Sequence, residues 1–367
     1  MVLSEVLVEE TLALWCVPVA DLGGVARHVL DAARAGIPGW RLVVLCPVGP
    51  LAVELAVRGV PVVTGPVSPT DGAATAVRSI RRVLRRLRPD VLHTHLAFAD
   101  VTGVASAQGM RSGSGQRIRV VSTEHGIAGV KGLYQGSAAA ARVKTGVHRA
   151  RLRRTDHVIA VSESTREQVL AQWGSGQKLT VIRNGVDAPQ PTPQPRAGLR
   201  VLSLARLAKE KKIDQLMQAF AHVAREHPEA RLTIAGRGLE EGALRTLAYS
   251  LHLEDRIDFP GHVDAGEALR SHDVVAQLSA WENLSYTLLD AVAHGLGVVA
   301  TDVGGNGEIV PERCLVTVEE ARSPEAVASR ILAQGTDLSA RPGPAEHGLT
   351  VAEMTAAIAD VYGEVAA

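Results

Sequence analysis

The feature that most limits what this chain can fold into is a rhythm. Short apolar runs rich in β-branched residues recur at 12–17, 42–46, 60–63, 91–95, 118–123, 158–161 and 179–182, with helix-patterned stretches such as 25–33 and 51–58 between them. Strands of this kind, separated by helical lengths, build a parallel sheet covered by helices. Asn184-Gly185 stops the rhythm, and residues 188–198, holding Pro189, Pro191, Pro193 and Pro195, can join neither sheet nor helix and read as a linker. The rhythm then restarts at 201–204, 232–235, 274–278, 298–301 and 315–318. The expected class is α/β, with two Rossmann-like doubly wound domains facing an inter-domain cleft. Residues 1–187 form the first domain, 188–198 the linker and 199–345 the second. The tail 346–367, with an amphipathic helix over 351–365, is a candidate to pack back on the first domain. A length of 367 residues suffices for two separate cores.

Charge and composition exclude several classes. The 39 basic and 39 acidic side chains cancel, so net charge gives no argument for nucleic acid, and an aromatic content of 3% argues against a base-stacking platform. The halves differ: residues 1–187 carry 23 basic and 14 acidic side chains, residues 188–367 carry 16 and 25, so the charge is polarised. Cys16, Cys46 and Cys314 lie far apart, as neither a disulfide framework nor a zinc site would have them. No apolar run has the length of a membrane span, and Glu5, Glu9 and Glu10 stand where a secretory signal would be basic. The expected location is the cytoplasm.

Ligands of doubly wound sheets gather at the carboxyl ends of the strands. The stretch 279–310 is the most informative there: a strand runs into a polar loop at Glu282, and a helix starts near Ser285. Backbone N–H groups at such a start suit a phosphate, and Asp290, one turn on, could accept hydrogen bonds from sugar hydroxyls. A capped helix with solvated acids is the plainer alternative. Arg206 and Lys211 leave the carboxyl end of the first strand of the second half. Cations of this kind answer the charge that grows on a diphosphate leaving group, while a solvated basic helix start is again the plainer alternative. Lys209 and Lys212 read as solvated.

Taken in order, these residues resemble the retaining glycosyltransferases of family 4, which have the GT-B fold, and the resemblance covers nearly the whole chain. It implies that Arg206 and Lys211 hold the donor diphosphate, and that Glu282 and Asp290 hold the donor sugar and the nucleoside ribose. Asn283, Leu284 and Ser285 complete the donor loop. It further implies that Gly23 and Gly24, in Asp21-Leu-Gly-Gly-Val25, let backbone approach the ligands, and that Gly261, His262 and Val263 meet the base through backbone. His125, in Ser122-Thr-Glu-His-Gly126, is implied to reach the transferred sugar, so His125, Glu282, Arg206 and Lys211 are the catalytic candidates. Residues 181–187 match the segment closing the first domain. Two positions depart from the family pattern. Asp290 stands for a Glu, shorter by one methylene, and Gly297 stands for a Pro, which should loosen a turn.

The reading of function is hexosyl transfer from a nucleotide diphosphate-sugar to a glycan, lipid-linked or small-molecule acceptor, with retained configuration. No cofactor and no metal ion are expected. A nucleotide-sugar epimerase and a catalytically silent nucleotide-sugar-binding homologue are the alternatives. His93 and His95 share one face of a strand end at a metal-binding spacing, yet no carboxylate or cysteine lies close in sequence, which favours structural hydrogen bonding. No P-loop and no Gly-x-Ser-x-Gly elbow occurs, and Gly236-Arg-Gly-Leu-Glu-Glu-Gly242 misses the dinucleotide fingerprint by one position and reads as a turn. The sequon Asn283-Leu-Ser285 is discounted at a site of this kind. Residues 77–88 place Val77, Ile80, Leu84 and Leu87 on one helical face and Arg78, Arg81, Arg82, Arg85 and Arg86 on another. With Arg142, Lys144, Arg149, Arg151, Arg153 and Arg154, this face is a candidate for peripheral docking on an anionic membrane; an ordinary sheet-covering helix explains the apolar stripe equally well. Sugar, base and acceptor identity are not legible, the acceptor loop at 127–141 least of all.

Overall fold

In the computed structural model, the described residues are 11–126, 138–174, 178–190, 194–343 and 348–367. Glu5, Glu9 and Glu10, Pro191 and Pro193 of the linker, and positions 127–137 of the acceptor loop lie outside them. The chain divides into two units, one reaching Gly185 and including Val351–Ala367, the other Val186–Thr350.

The first unit holds strands β1 (Thr11–Cys16), β2 (Trp40–Cys46), β3 (Val62–Thr64), β4 (Val91–His95), β5 (Arg119–Glu124), β6 (His157–Ala160) and β7 (Lys178–Val181). They form one sheet in the order β3-β2-β1-β4-β5-β6-β7, with every pairing parallel. The order reverses between β1 and β4, the topological switch point. The central strands are buried on both faces, so they read as continuous apolar runs: Leu14, Leu45, Leu92 and Val120 pack with Ile80, Val83 and Leu84 of helix Ala73–Leu87. Burying each such side chain contributes about 1.5–3 kcal/mol. The apolar stripe of that helix is therefore spent on the sheet, and of its arginines Arg78, Arg82, Arg85 and Arg86 are exposed and Arg81 half-buried.

The terminal helix Val351–Ala366 belongs to this unit. Its Tyr362 is fully buried; the hydroxyl accepts from Trp15 Nε1 at 2.7 Å and meets His93 Nδ1 at 2.5 Å, and His93 Nε2 meets Thr123 Oγ1 at 2.7 Å. Both ring nitrogens of His93 are thus used in structural hydrogen bonds.

The second unit holds β8 (Arg200–Leu204), β9 (Arg231–Ala235), β10 (Ile257–Gly261), β11 (Val274–Gln277), β12 (Gly297–Thr301) and β13 (Leu315–Val316). Their order is β10-β9-β8-β11-β12-β13, again all parallel, with the reversal between β8 and β11. Val201, Leu232, Ala276 and Val299 form the core with Met217 and Phe220 of helix Ile213–Glu226 and Ile331 of helix Pro324–Thr336. Gly297 does not loosen a turn as expected. A Cβ there would lie 2.6 Å from Gln334 O, and its N–H donates to Asp273 O at 3.0 Å, so the glycine lets the helix lie directly on the sheet.

Candidate active site

In the second unit the chemistry-bearing residues sit in the loops that leave β8 and β11, the strands flanking the reversal. After β8 the chain makes a tight turn at Lys209–Lys211, and Lys212, at φ +50°, starts the following helix. Glu210 O accepts from Ala280 N at 2.7 Å, tying this loop to the one after β11. Lys211 Nζ then donates to Glu282 Oε1, with both side chains mostly buried. Arg206 is not part of that pair: its side chain is 75% exposed, and its guanidinium bonds Glu210 Oε1 at 3.0 Å.

The helix Tyr286–Ala293 starts on Ser285, whose Oγ accepts from Leu288 N at 3.4 Å and donates to Gln277 Oε1 at 2.9 Å. The cap anchors the helix to the end of β11 and answers one of its first N–H groups. Asn283 O accepts from Gly305 N at 2.7 Å, while Asn283 Oδ1 is buried with no hydrogen-bond partner among the described residues. Leu284 is core, so only its backbone can serve a ligand. Asp290 is 6% exposed on the inward side of the helix. Gly261, at φ +76°, accepts from Gly236 N at 2.7 Å; His262 is exposed and Val263 half-buried.

Three glycines, two of them in the 236–242 segment read as a turn, shape these loops. A Cβ would lie 1.9 Å from Ala205 O at Gly236, 2.1 Å from Leu207 O at Gly238 and 1.9 Å from Glu282 O at Gly304. Backbone from β9 and β12 therefore packs against the segments carrying Arg206 and Glu282, a closeness only glycine permits. Their signal was visible as Gly-x-Gly directly after β9 and Gly-Gly separated from β12 by two residues. Gly23 is different: its φ of −170° suits any residue, and a Cβ would meet nothing within 4 Å. The fold itself does not require glycine there.

In the first unit His125 follows β5, and its Nε2 meets Nδ1 of His95, at the end of β4, at 2.9 Å. His28, on helix Gly24–Ala35, packs edge-on against His125 with ring centroids 4.9 Å apart, and its Nδ1 lies 3.3 Å from Asn184 Oδ1. Burial holds His28 down at about 4 and, with the neighbouring histidines, holds His95 and His125 well below the usual range. All three are neutral imidazoles at pH 7. Beneath them Arg151, 3% exposed, pairs with Asp100 at 3.2 Å and with Glu124, the residue before His125. Arg151 is thus a buried clamp and not part of the exposed basic cluster expected for it; Arg142, Lys144, Arg149, Arg153 and Arg154 are exposed. His28, Asn184 and Arg151 were missed because each depends on distant residues meeting it in the fold.

Among the described residues no helix is long and apolar enough to cross a membrane. Residues 22–190 match the family described as Glycosyltransferase Family 4, and residues 188–334 that described as Glycosyl transferases group 1. A glycogen synthase of Mycobacterium tuberculosis is 30% identical over 335 residues, covering 81% of this chain and 78% of that protein. Among solved structures, Anabaena HepE in complex with UDP and glucose superposes with a TM-score of 0.77 at 21% identity, covering 96% of this chain and 99% of that one. A glycosyltransferase from Rickettsia africae superposes at 0.75 with 17% identity, covering 97% and 99%. The likeness to these two structures shows the GT-B fold. With both halves matched, with a relative aligned along most of its length, and with two parallel sheets each bearing polar loops at its reversal point, the chain belongs to the family 4 glycosyltransferases.

Proposed function

We propose that the chain transfers a hexosyl unit from a nucleotide diphosphate-sugar to an acceptor, with retention of configuration and without a metal ion. The observation that carries this reading is the Lys211–Glu282 pair at the exits of β8 and β11, beside a capped helix start. A cation and a carboxylate held on each other are a preformed pair of contacts for a diphosphate and a sugar hydroxyl. On donor binding, Lys211 exchanges Glu282 for phosphate oxygen, exposed Arg206 swings onto the same group, and Glu282 accepts from a sugar hydroxyl. The bond from the anomeric carbon to phosphate breaks as the acceptor oxygen bonds that carbon on the same face. The acceptor proton passes to the departing phosphate. Rate comes from positioning and from charge stabilisation of the leaving group.

In this reading Asp290 serves the ribose, Gly261, His262 and Val263 meet the base, and Asn283, Leu284 and Ser285 line the donor through backbone and side-chain amide. Gly23 and Gly24 give a ligand close access to backbone, and His125 donates or accepts a hydrogen bond with a hydroxyl of the transferred sugar. The structure of HepE with UDP and glucose supports a nucleoside diphosphate as the donor's handle. The acceptor is a glycan, a lipid-linked sugar or a small molecule. Arg78, Arg81, Arg82, Arg85 and Arg86 are proposed to hold the protein on an anionic membrane by charge alone, each adding about 1 kcal/mol; liposome binding that salt leaves unchanged would refute this.

The test is a thermal-shift screen against nucleoside diphosphates and their sugars, followed by turnover of the donor that stabilises the protein. Lys211→Ala is expected to abolish the shift and most turnover. Turnover within about threefold of the parent, under roughly 1 kcal/mol, would refute the diphosphate assignment. Turnover that persists in excess chelator is expected, and NMR of the product's anomeric proton reads retention directly.

A further inference from the structure

We propose that His28, His95 and His125 form a site for one zinc-like divalent transition-metal ion in the first unit, and that occupancy of this site shuts transfer off. One ring nitrogen from each residue lies within 4.8 Å of the other two. In a tetrahedral site with metal–nitrogen bonds of 2.0–2.1 Å, ligand nitrogens stand about 3.3 Å apart, so ring rotations that bring the nitrogens together by up to about 1.5 Å close the set. The closest pair, His95 Nδ1 and His125 Nε2 at 2.9 Å, needs only to open slightly. At present that contact shares a single proton between two neutral rings; a metal ion in its place engages a lone pair on each, the shared proton moving to the other nitrogen of the ring that held it.

The surroundings have the character of a built site. A hydrogen bond from His28 Nδ1 to Asn184 Oδ1 sets the tautomer that carries the lone pair on the other ring nitrogen, the outer-shell arrangement that orients histidine ligands. His95 is fully buried, and its Nε2 has no hydrogen-bond partner among the described residues. Trp15 packs on His28 and His95, with ring centroids 5.8 and 4.6 Å away, limiting how the rings can turn. Imidazole sets without thiolate select zinc, copper or nickel over magnesium or calcium. The three cysteines are all buried and stand outside the cluster. With three protein ligands, a fourth position is left for a water molecule or another small ligand.

The binding claim stands without any role for His125 in transfer; the inhibition rests on the contact with sugar proposed above. Full-length protein stripped with chelator is titrated with Zn(II) against a chromogenic competitor, and with Co(II) for its tetrahedral absorption bands. One saturable equivalent is expected, weakened at least roughly tenfold in His28→Gln and in His125→Gln. It should be unchanged in His222→Gln, whose ring sits at the surface near Glu325. Absence of saturable binding to the parent, or parental affinity retained in both cluster variants, overturns the site. Thermal unfolding accompanies each variant; should His28→Gln fail to fold, His125→Gln, altered in a partly exposed loop, decides. Zn(II) should also stop transfer by the parent and excess chelator should restore it, and tight binding with undiminished transfer overturns the inhibitory half.

Discussion

Acidification should loosen the first unit through His148, and a single variant isolates that contribution. The imidazole is 3% exposed, lies flat on Trp173 with ring centroids 4.2 Å apart, and accepts a hydrogen bond from Arg151 Nε at 3.0 Å. Accepting that bond requires a lone pair on Nδ1, so the ring must be neutral. Burial first, then the charges of Arg151 and Lys144, lower it from the ordinary 6.5 to about 4. The sign follows: below pH 6.5 the unfolded chain takes the proton while the folded one does not, so stability is full above 6.5 and falls as pH drops toward 4. A gap of this size corresponds to about 3 kcal/mol over the whole window, with a slope of at most about 1.4 kcal/mol per pH unit. His148→Phe keeps the stacking on Trp173 but removes both the titration and the acceptor for Arg151. At pH 7 it should be less stable by about 1–3 kcal/mol, the usual effect of orphaning a buried donor. The difference should shrink as pH falls, and close or reverse by about pH 4. Other buried histidines, and Asp100, pushed up by burial to about 7, titrate in both proteins and drop out of the comparison to first order. Urea unfolding followed by tryptophan fluorescence at several pH values measures this, with the first unit's transition analysed separately because two units need not unfold together. A gap between parent and variant that stays constant from pH 7 to 4 would refute the reasoning.

Tyr362→Phe removes the acceptor for Trp15 Nε1 and the partner of His93 Nδ1, and calorimetry should register about 2 kcal/mol or more of lost stability. Gly304→Ala drives a Cβ into the carbonyl of Glu282 at a residue with φ +58°, so it should both lower the melting temperature and weaken donor binding in a thermal-shift titration. Gly23→Ala should leave stability within about 0.5 kcal/mol of the parent yet reduce turnover, since the added methyl meets no atom of the chain and would obstruct only a ligand; unchanged kinetics would deny the loop any part in binding.

The periodic part of the molecule was legible because parallel strands announce themselves: a run such as Leu12 to Cys16, apolar at every position, is compatible with a strand covered on both faces and with little else of that length. Lys211 and Glu282 were legible as a pair only through resemblance, since 71 residues separate them and neither strand spacing nor composition predicts that they meet. The geometry adds a reason for their meeting. In a doubly wound sheet, the loops after the two strands that flank the order reversal diverge to opposite faces and leave a crevice between them. Here those strands are β8 and β11, and Glu210 O, held by Ala280 N, closes the distance between their loops so that the next residue, Lys211, reaches Glu282. The same rule applied to the first sheet selects β1 and β4, and β4 ends on His95, which meets His125, the residue just past the adjacent strand β5. A chemically loaded cluster at the reversal point of each sheet is what the topology makes available. Which residues occupy it is decided by side chains such as Asn184 and Arg151, whose contacts exist only after folding and leave no periodic trace in the chain.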